Sequence, residues 1–287
     1  MTESTSTAPQ TANPLAKHFR QPQLYLRLPS QGQWYPPGTL DMPVTKELPV
    51  FPMTAKDELI LKTPDALLNG QSTVDIIQSC VPNIKDAWAV PSVDLDAILI
   101  AIRQATYGNR MDFVAVCPHC QTKNDHALDL SFLASKINCP DFEQTVVVDG
   151  LELFLKPFTY KEFNRSSIEN YEHQRIINVV SNDQISDDEK QKRFNEIFHK
   201  LLNLTVEQVT RSVAAIKTPD GVLVDDRNHI DEFFKNCNKD VWDAVKSRLE
   251  EFTNSSTTKE VDLTCENTEC GKPYTTPLLF ETSSFFA

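Results

Sequence analysis

The sequence predicts a mixed α+β protein, mainly helical, with short β-hairpins. Three observations carry this. Apolar residues recur at helical spacing behind recognisable N-caps in several stretches. Asp149-Gly150 sits between two apolar runs. Two pairs of close cysteines, CPHC at 117–120 and CENTEC at 265–270, each lie between segments that favour strands. A helix that buries one face repeats its apolar positions every three to four residues, whereas a strand alternates, so the two periods separate the elements. With 287 residues, the chain is long enough for one large domain or two ordinary ones.

Residues 1–22, rich in Ser, Thr and Pro, read as a disordered tail. LYLRL then makes a short strand. Three prolines and two glycines between Leu28 and Thr39 forbid regular structure in the loop that follows. Trp34 and Tyr35 in that loop either contact a partner or pin the loop to its own core, and the second reading is favoured. ELPVFP is a second strand, stopped by Pro52. Thr54 caps the helix TAKDELIL, with Asp57 at the capping-box position. Thr63-Pro64 opens another helix and Asn69-Gly70 closes it. STVDIIQSC is helical up to Pro82. In SVDLDAILIAIRQATYG, the residues Leu95, Ile98, Leu99 and Ile102 share one helical face and Gly108 gives the stop.

MDFVAV and HALDL are expected as strands around the first Cys turn. In QTVVVDGLELFLK the Asp-Gly pair signals a tight hairpin. From Pro157 the pattern turns helical. Thr159 to Glu162 and Ser186 to Glu189 are capping boxes, and Phe194, Ile197, Phe198, Leu201 and Leu202 have helical spacing. Helix is expected to continue through TVEQVTRSVAAI to a turn at Pro219-Asp-Gly. NHIDEFFKN and KDVWDAVKSRLEEF are two more helices, and strands flank the second Cys turn. The organisation expected is a tail (1–22), an N-terminal α+β unit with the first Cys knuckle (23–140), a hairpin plus helical block (141–258), and a second knuckle returning to the first (259–287). LPVFPMTAKDE and LFLKPFTYKEF echo each other. Two half-units of similar design would explain this, and so would convergence on a good helix start.

The net charge of −12 opposes binding to a phosphate backbone, and no Lys/Arg cluster compensates for it. No apolar run approaches the ~20 residues that a membrane span needs. The start has neither a basic region nor an apolar one, so no secretory signal is expected, and the protein should act inside the cell that makes it. Seven cysteines, an odd number, in a reducing compartment argue against a disulfide framework. Cys80, Cys139 and Cys237 stand alone and read as small hydrophobes.

Cys117 and Cys120 (C-x2-C) with Cys265 and Cys270 (C-x4-C) have the spacing of two zinc knuckles. Each knuckle is half a site, so the two should meet, within one chain rather than between subunits. The expectation is a zinc-ribbon-like site of four cysteines formed by two distant knuckles and holding a structural Zn2+. Four thiolates leave no open coordination position, which argues against catalytic zinc. The residues after Cys120 read as a turn and not as a helix start, which argues against a redox dithiol. Gly271 offers the positive φ that such a turn needs. His119 should point outward, and His126 is a candidate for supporting a ligand. No Walker loop, nucleophile elbow or dinucleotide fingerprint is present, so no enzyme is expected.

Several stretches in order carry a family resemblance: LPSQGQWYP, ELPVFPMTAKDE, LKTPDALLNG, IQSCVPNIKD, DLDAILIAIRQATYG and MDFVAVCPHCQTKN, then more loosely KPFTYKEF and the second Cys pair. In these the chain resembles the baseplate hub assembly proteins of T-even-like, contractile-tailed bacteriophages. The resemblance implies a non-enzymatic factor in tail assembly, either a hub component or a chaperone for the tape measure protein. Its partners would be baseplate hub or tape measure proteins, in the host cytoplasm during assembly or in the virion baseplate. Oligomeric state stays open. The rival reading is a zinc-ribbon nucleic-acid-binding protein. Helical grooves, the loop around Trp34 and the stretch FETSSFFA are candidate contact surfaces, although Phe285 and Phe286 could equally tuck onto the parent domain.

Overall fold

The computed structural model describes residues 13–62, 70–168, 206–256, 260–277 and 285–286. Strands β1 (Leu24–Leu26) and β2 (Leu48–Val50) form an antiparallel pair. Leu48 and Val50 are fully buried, while Pro49 between them is half-buried on the opposite face; β2 is paired on one side only, the kind of edge strand in which a proline is tolerated. Helix α1 (Ala55–Leu61) starts with the expected capping box, the Asp57 carboxylate accepting from the Thr54 N–H at 2.7 Å. The same carboxylate meets Ser79 Oγ at 3.0 Å and Arg20 at 3.4 Å. Arg20 also donates to the carbonyls of Pro52 and Ser79. A buried carboxylate needs a cation or donors around it, and Asp57 has both.

Helices α2 (Gln71–Cys80) and α3 (Ser92–Tyr107) cross the first core, which Ile76, Ile77, Ile98 and Ile102 fill. Near the start of α3, the buried Asp94 accepts from Ser30 N–H at 2.8 Å, from the Ser30 hydroxyl, and from Tyr35 Oη at 3.0 Å. Burial holds this carboxyl above the usual carboxylate range, although the three donors pull the other way. The Pro/Gly loop is thereby tied to α3. Its Trp34 reaches further and packs edge-on against Phe142, with ring centroids 5.1 Å apart, in the second core.

Strands β3 (Arg110–Val116) and β4 (Lys123–Asp129) form the first Cys hairpin, and α4 (Leu130–Lys136) follows directly. The sequence reading missed α4. Its N-cap is Asp129, which accepts from Ser131 N–H at 2.8 Å, and Leu130 is fully buried at its start.

Strands β5 (Val146–Val148), β6 (Leu151–Leu155), β7 (Val213–Lys217) and β8 (Leu223–Val224) form one antiparallel sheet in that order. Asp149 (φ 51°) and Gly150 (φ 77°) both take left-handed values, as a two-residue hairpin turn requires. Residues 206–211 are helical, but the helix does not run on as expected: Val213 to Lys217 is strand, paired with β6 on one side and β8 on the other. Two ladders outweigh the modest helix propensity of VAAIK. Helix α5 (Arg227–Asn236), capped by Asp226, and helix α6 (Lys239–Ser256) complete the second core with Ile230, Phe234, Val241, Val245 and Phe252. The last hairpin is β9 (Glu260–Thr264) with β10 (Pro273–Pro277).

The expectation of a mainly helical chain is overturned. Among the described residues about 40% are helical and 22% are strand, spread over several small sheets. Each Cys turn needs two strands to hold it, and β7 is recruited by its neighbours. The helices expected at Thr63 to Asn69 and behind the Ser186 box lie outside the described residues. Both echo segments do form strand, Pro and Thr-capped helix: β2 to α1, and β6 to the helical residues 160–168, where Glu162 accepts from Thr159 N–H at 2.9 Å. The two cores interlock. Tyr160 is buried in the first core and stacks on Trp88, with centroids 5.4 Å apart, while Trp34 and Val93 pack on the second. Phe285 and Phe286 are buried in the first core beside α3, and Arg103 donates to the Phe285 carbonyl. Of the two roles considered for these rings, the structure shows the tuck onto the parent domain.

Candidate metal centre

The inward face of the first Cys hairpin grades from apolar to polar. Its cross-strand pairs run Met111 with Leu128, Phe113 with His126, and Ala115 with Asn124. Met111, Phe113 and Leu128 lean on the first core, and Ala115 and Asn124 lie at the cysteine end. The second hairpin presents Leu263 opposite Tyr274. Strand alternation thus points both hairpins' inner side chains at one small cluster of Ala115, Cys117, Cys265 and Tyr274.

All four sulfurs, from Cys117, Cys120, Cys265 and Cys270, lie within 4.8 Å of one another. Across the hairpins, Cys120 Sγ is 3.5 Å from Cys265 Sγ, and Cys117 Sγ is 4.0 Å from Cys270 Sγ. All seven cysteines are free thiols. Cys117 and Cys265 are buried and the other two half-buried. The knuckles are built alike. Cys117 N–H bonds to Thr122 C=O at 2.9 Å, and Cys265 N–H to Lys272 C=O at 3.0 Å. The residue after the second cysteine of each pair is left-handed: Gln121 at φ 61° and Gly271 at φ 54°. Gly271 was expected from sequence, whereas the same conformation at Gln121 carries no glycine signal.

Neighbouring polar groups hold the two knuckles together. Asn124 Oδ1 accepts from the Glu266 N–H at 2.8 Å and lies 3.6 Å from Cys265 Sγ. Asn267 Nδ2 donates to Thr122 Oγ1 at 3.3 Å, and that hydroxyl lies 3.3 Å from Cys120 Sγ. His126 Nε2 is 3.0 Å from Tyr274 Oη. Thr122 lowers the Cys120 thiol to about 6, while burial pushes Cys265 up to about 12. His119 is exposed, as expected for a residue between two turn cysteines. Of the supporting residues, the sequence reading named only His126. Thr122 and Asn124 were missed, since a polar residue on the inner face of a strand has meaning only once the opposite hairpin is in place.

The family model described as T4 bacteriophage base plate protein matches residues 35–287. The chain belongs to this family. The matched span holds both cysteine pairs and most of both cores of the baseplate protein; Leu24, Leu26 and Leu28 of the first core precede it. No curated protein and no solved structure matches the chain. Among the described residues of the baseplate protein, no helix is long and apolar enough to cross a membrane. Its lone cysteines sit in packing positions. Cys80 is fully buried in the first core, where burial pushes its thiol up to about 12, and burial likewise raises Cys139 to about 11.

Proposed function

We propose that this baseplate protein is a non-enzymatic assembly factor for the phage tail, acting by protein–protein binding on a hub or tape measure protein. The observation that carries the reading is the family match over residues 35–287. The placement of the buried polar groups supports it. Asp57 and Asp94, the buried carboxylates among the described residues, are engaged with Arg20, Ser79, Ser30 and Tyr35 of the chain's own frame. Exposed large apolar side chains, Tyr25, Phe132 and Phe163 among them, offer surface to a partner. Trp34 and Phe285–Phe286 pack within the chain, which favours the exposed apolar side chains over them as the contact surface.

The test is affinity capture of the tagged chain from phage-infected cells, compared with the protein content of purified particles. Capture of a hub or tape measure protein is the expected result. Presence in particles would mark a hub component, and absence a chaperone. Capture of neither, or salt-sensitive binding to DNA or RNA, would overturn the reading.

A further inference from the structure

We propose that Cys117, Cys120, Cys265 and Cys270 bind one Zn2+, and that this ion is the lock that keeps Phe285–Phe286 seated in the first core. The fit is geometric. A zinc ion holding four sulfurs tetrahedrally at ~2.3 Å places them about 3.8 Å apart. The cross-hairpin separations of 3.5 and 4.0 Å bracket that value, and all four sulfurs stay within 4.8 Å. The donor set is soft, closed and lined by Ala115, Leu263 and Tyr274, which leaves no position for a reacting water. The thiol protons leave to solvent as the ion binds. The half-buried Cys120 and Cys270 give it a way in.

The path of the chain supplies the second half of the proposal. Helix α3 leads at once into β3, so the first Cys hairpin and Arg103, which holds the Phe285 carbonyl, belong to one continuous piece. The second hairpin ends at Pro277, and Phe285 follows after a connection that spans at most roughly 30 Å. The terminal arm is therefore fixed to the α3–β3 piece at two points, the cysteine cluster and the phenylalanine pair. Besides the sulfurs, the second hairpin is bonded to the first through Glu266 N–H, Asn267 Nδ2 and Tyr274 Oη. These are single hydrogen bonds, each of modest net strength. A four-thiolate ion is far stronger than their sum, so its loss should free the arm and, with it, the two rings.

The experiment uses the full chain grown with zinc. Metal content should be one zinc per chain, lost in Cys117→Ser and in Cys265→Ser. Cobalt exchange should give the charge-transfer and visible bands of a tetrahedral tetrathiolate. Hydrogen exchange read by mass spectrometry should show the amides of Phe285 and Phe286 exchanging roughly tenfold faster after chelation, with α2 and α3 unchanged, and slowed again by added zinc. Should the serine variants fail to fold, stripping and reloading the wild-type chain gives the same reading. Absence of metal uptake, a cobalt spectrum without four thiolates, equal exchange at Phe285 and Phe286 with and without zinc, or loss of protection throughout α2 and α3 on stripping would each overturn the proposal.

Discussion

Two arrangements recur in the two halves of the chain. In each, a strand, a proline and a threonine-capped helix come first, at β2 to α1 and at β6 to residues 160–168. In each, a long helix later leads within a few residues into a cysteine hairpin: α3 into β3–β4, and α6 into β9–β10. They differ in what the hairpin rests on. The first hairpin leans on the first core through Met111, Phe113 and Leu128, and Leu130 buries itself just beyond it. The second hairpin touches that core through Val261 and otherwise turns Leu263 and Tyr274 toward the cysteines. Two hairpins of one design thus have unequal support. The first is a fixed half-site, and the second is held chiefly by meeting it.

This asymmetry can be broken from either side. Removing the proposed zinc should act most strongly and most unequally. Amides of β9–β10 should lose nearly all protection, while those of β3–β4 stay within about tenfold of their loaded values. Equal loss in both hairpins would refute the asymmetry. Leu130→Ala attacks the support of the first hairpin and should cost about 2–5 kcal/mol in denaturant unfolding, lowering the protection of both hairpins together. If β9–β10 kept its protection while β3–β4 lost it, the supposed dependence would run the wrong way. Asn124→Ala removes the acceptor for Glu266 N–H and should cost about 1–3 kcal/mol, seen in the amides of the second hairpin first. A loss spread evenly over the first core would contradict this. Tyr274→Phe deletes the contact with His126 and should cost about 0.5–1.5 kcal/mol while leaving metal content unchanged. Loss of the metal in that variant would show that Tyr274 does more than brace the hairpins.

What could be read from sequence was local. The Thr54 and Thr159 boxes, the Asp149-Gly150 turn and the face of α3 are each set by residues within a turn or two of one another, and they formed as expected. The cysteine spacing placed both knuckles, and the structure brings their sulfurs together. What escaped was decided at a distance. VAAIK is strand because β6 and β8 flank it. Asn124 matters because Glu266, far along the chain, offers it an unpaired N–H. Trp34 was expected to pin its loop to the chain's own core, and it does, but that this would be the core holding Phe142 was not legible. The short α4 hid in SFLASK because one apolar turn gives little periodicity to detect, although Asp129 ahead of it was a legible cap.

The separation of the facing cysteines along the chain also sets an order in time. Cys117 and Cys270 are 153 residues apart. At ordinary rates of translation, the first hairpin waits roughly 8–30 s on the ribosome before its counterpart exists. Arg103 waits longer still for Phe285, 182 residues on. A nascent first half therefore carries two unmatched thiols and a core short of two aromatic rings, and closure of the clamp is among the last events in the making of the molecule.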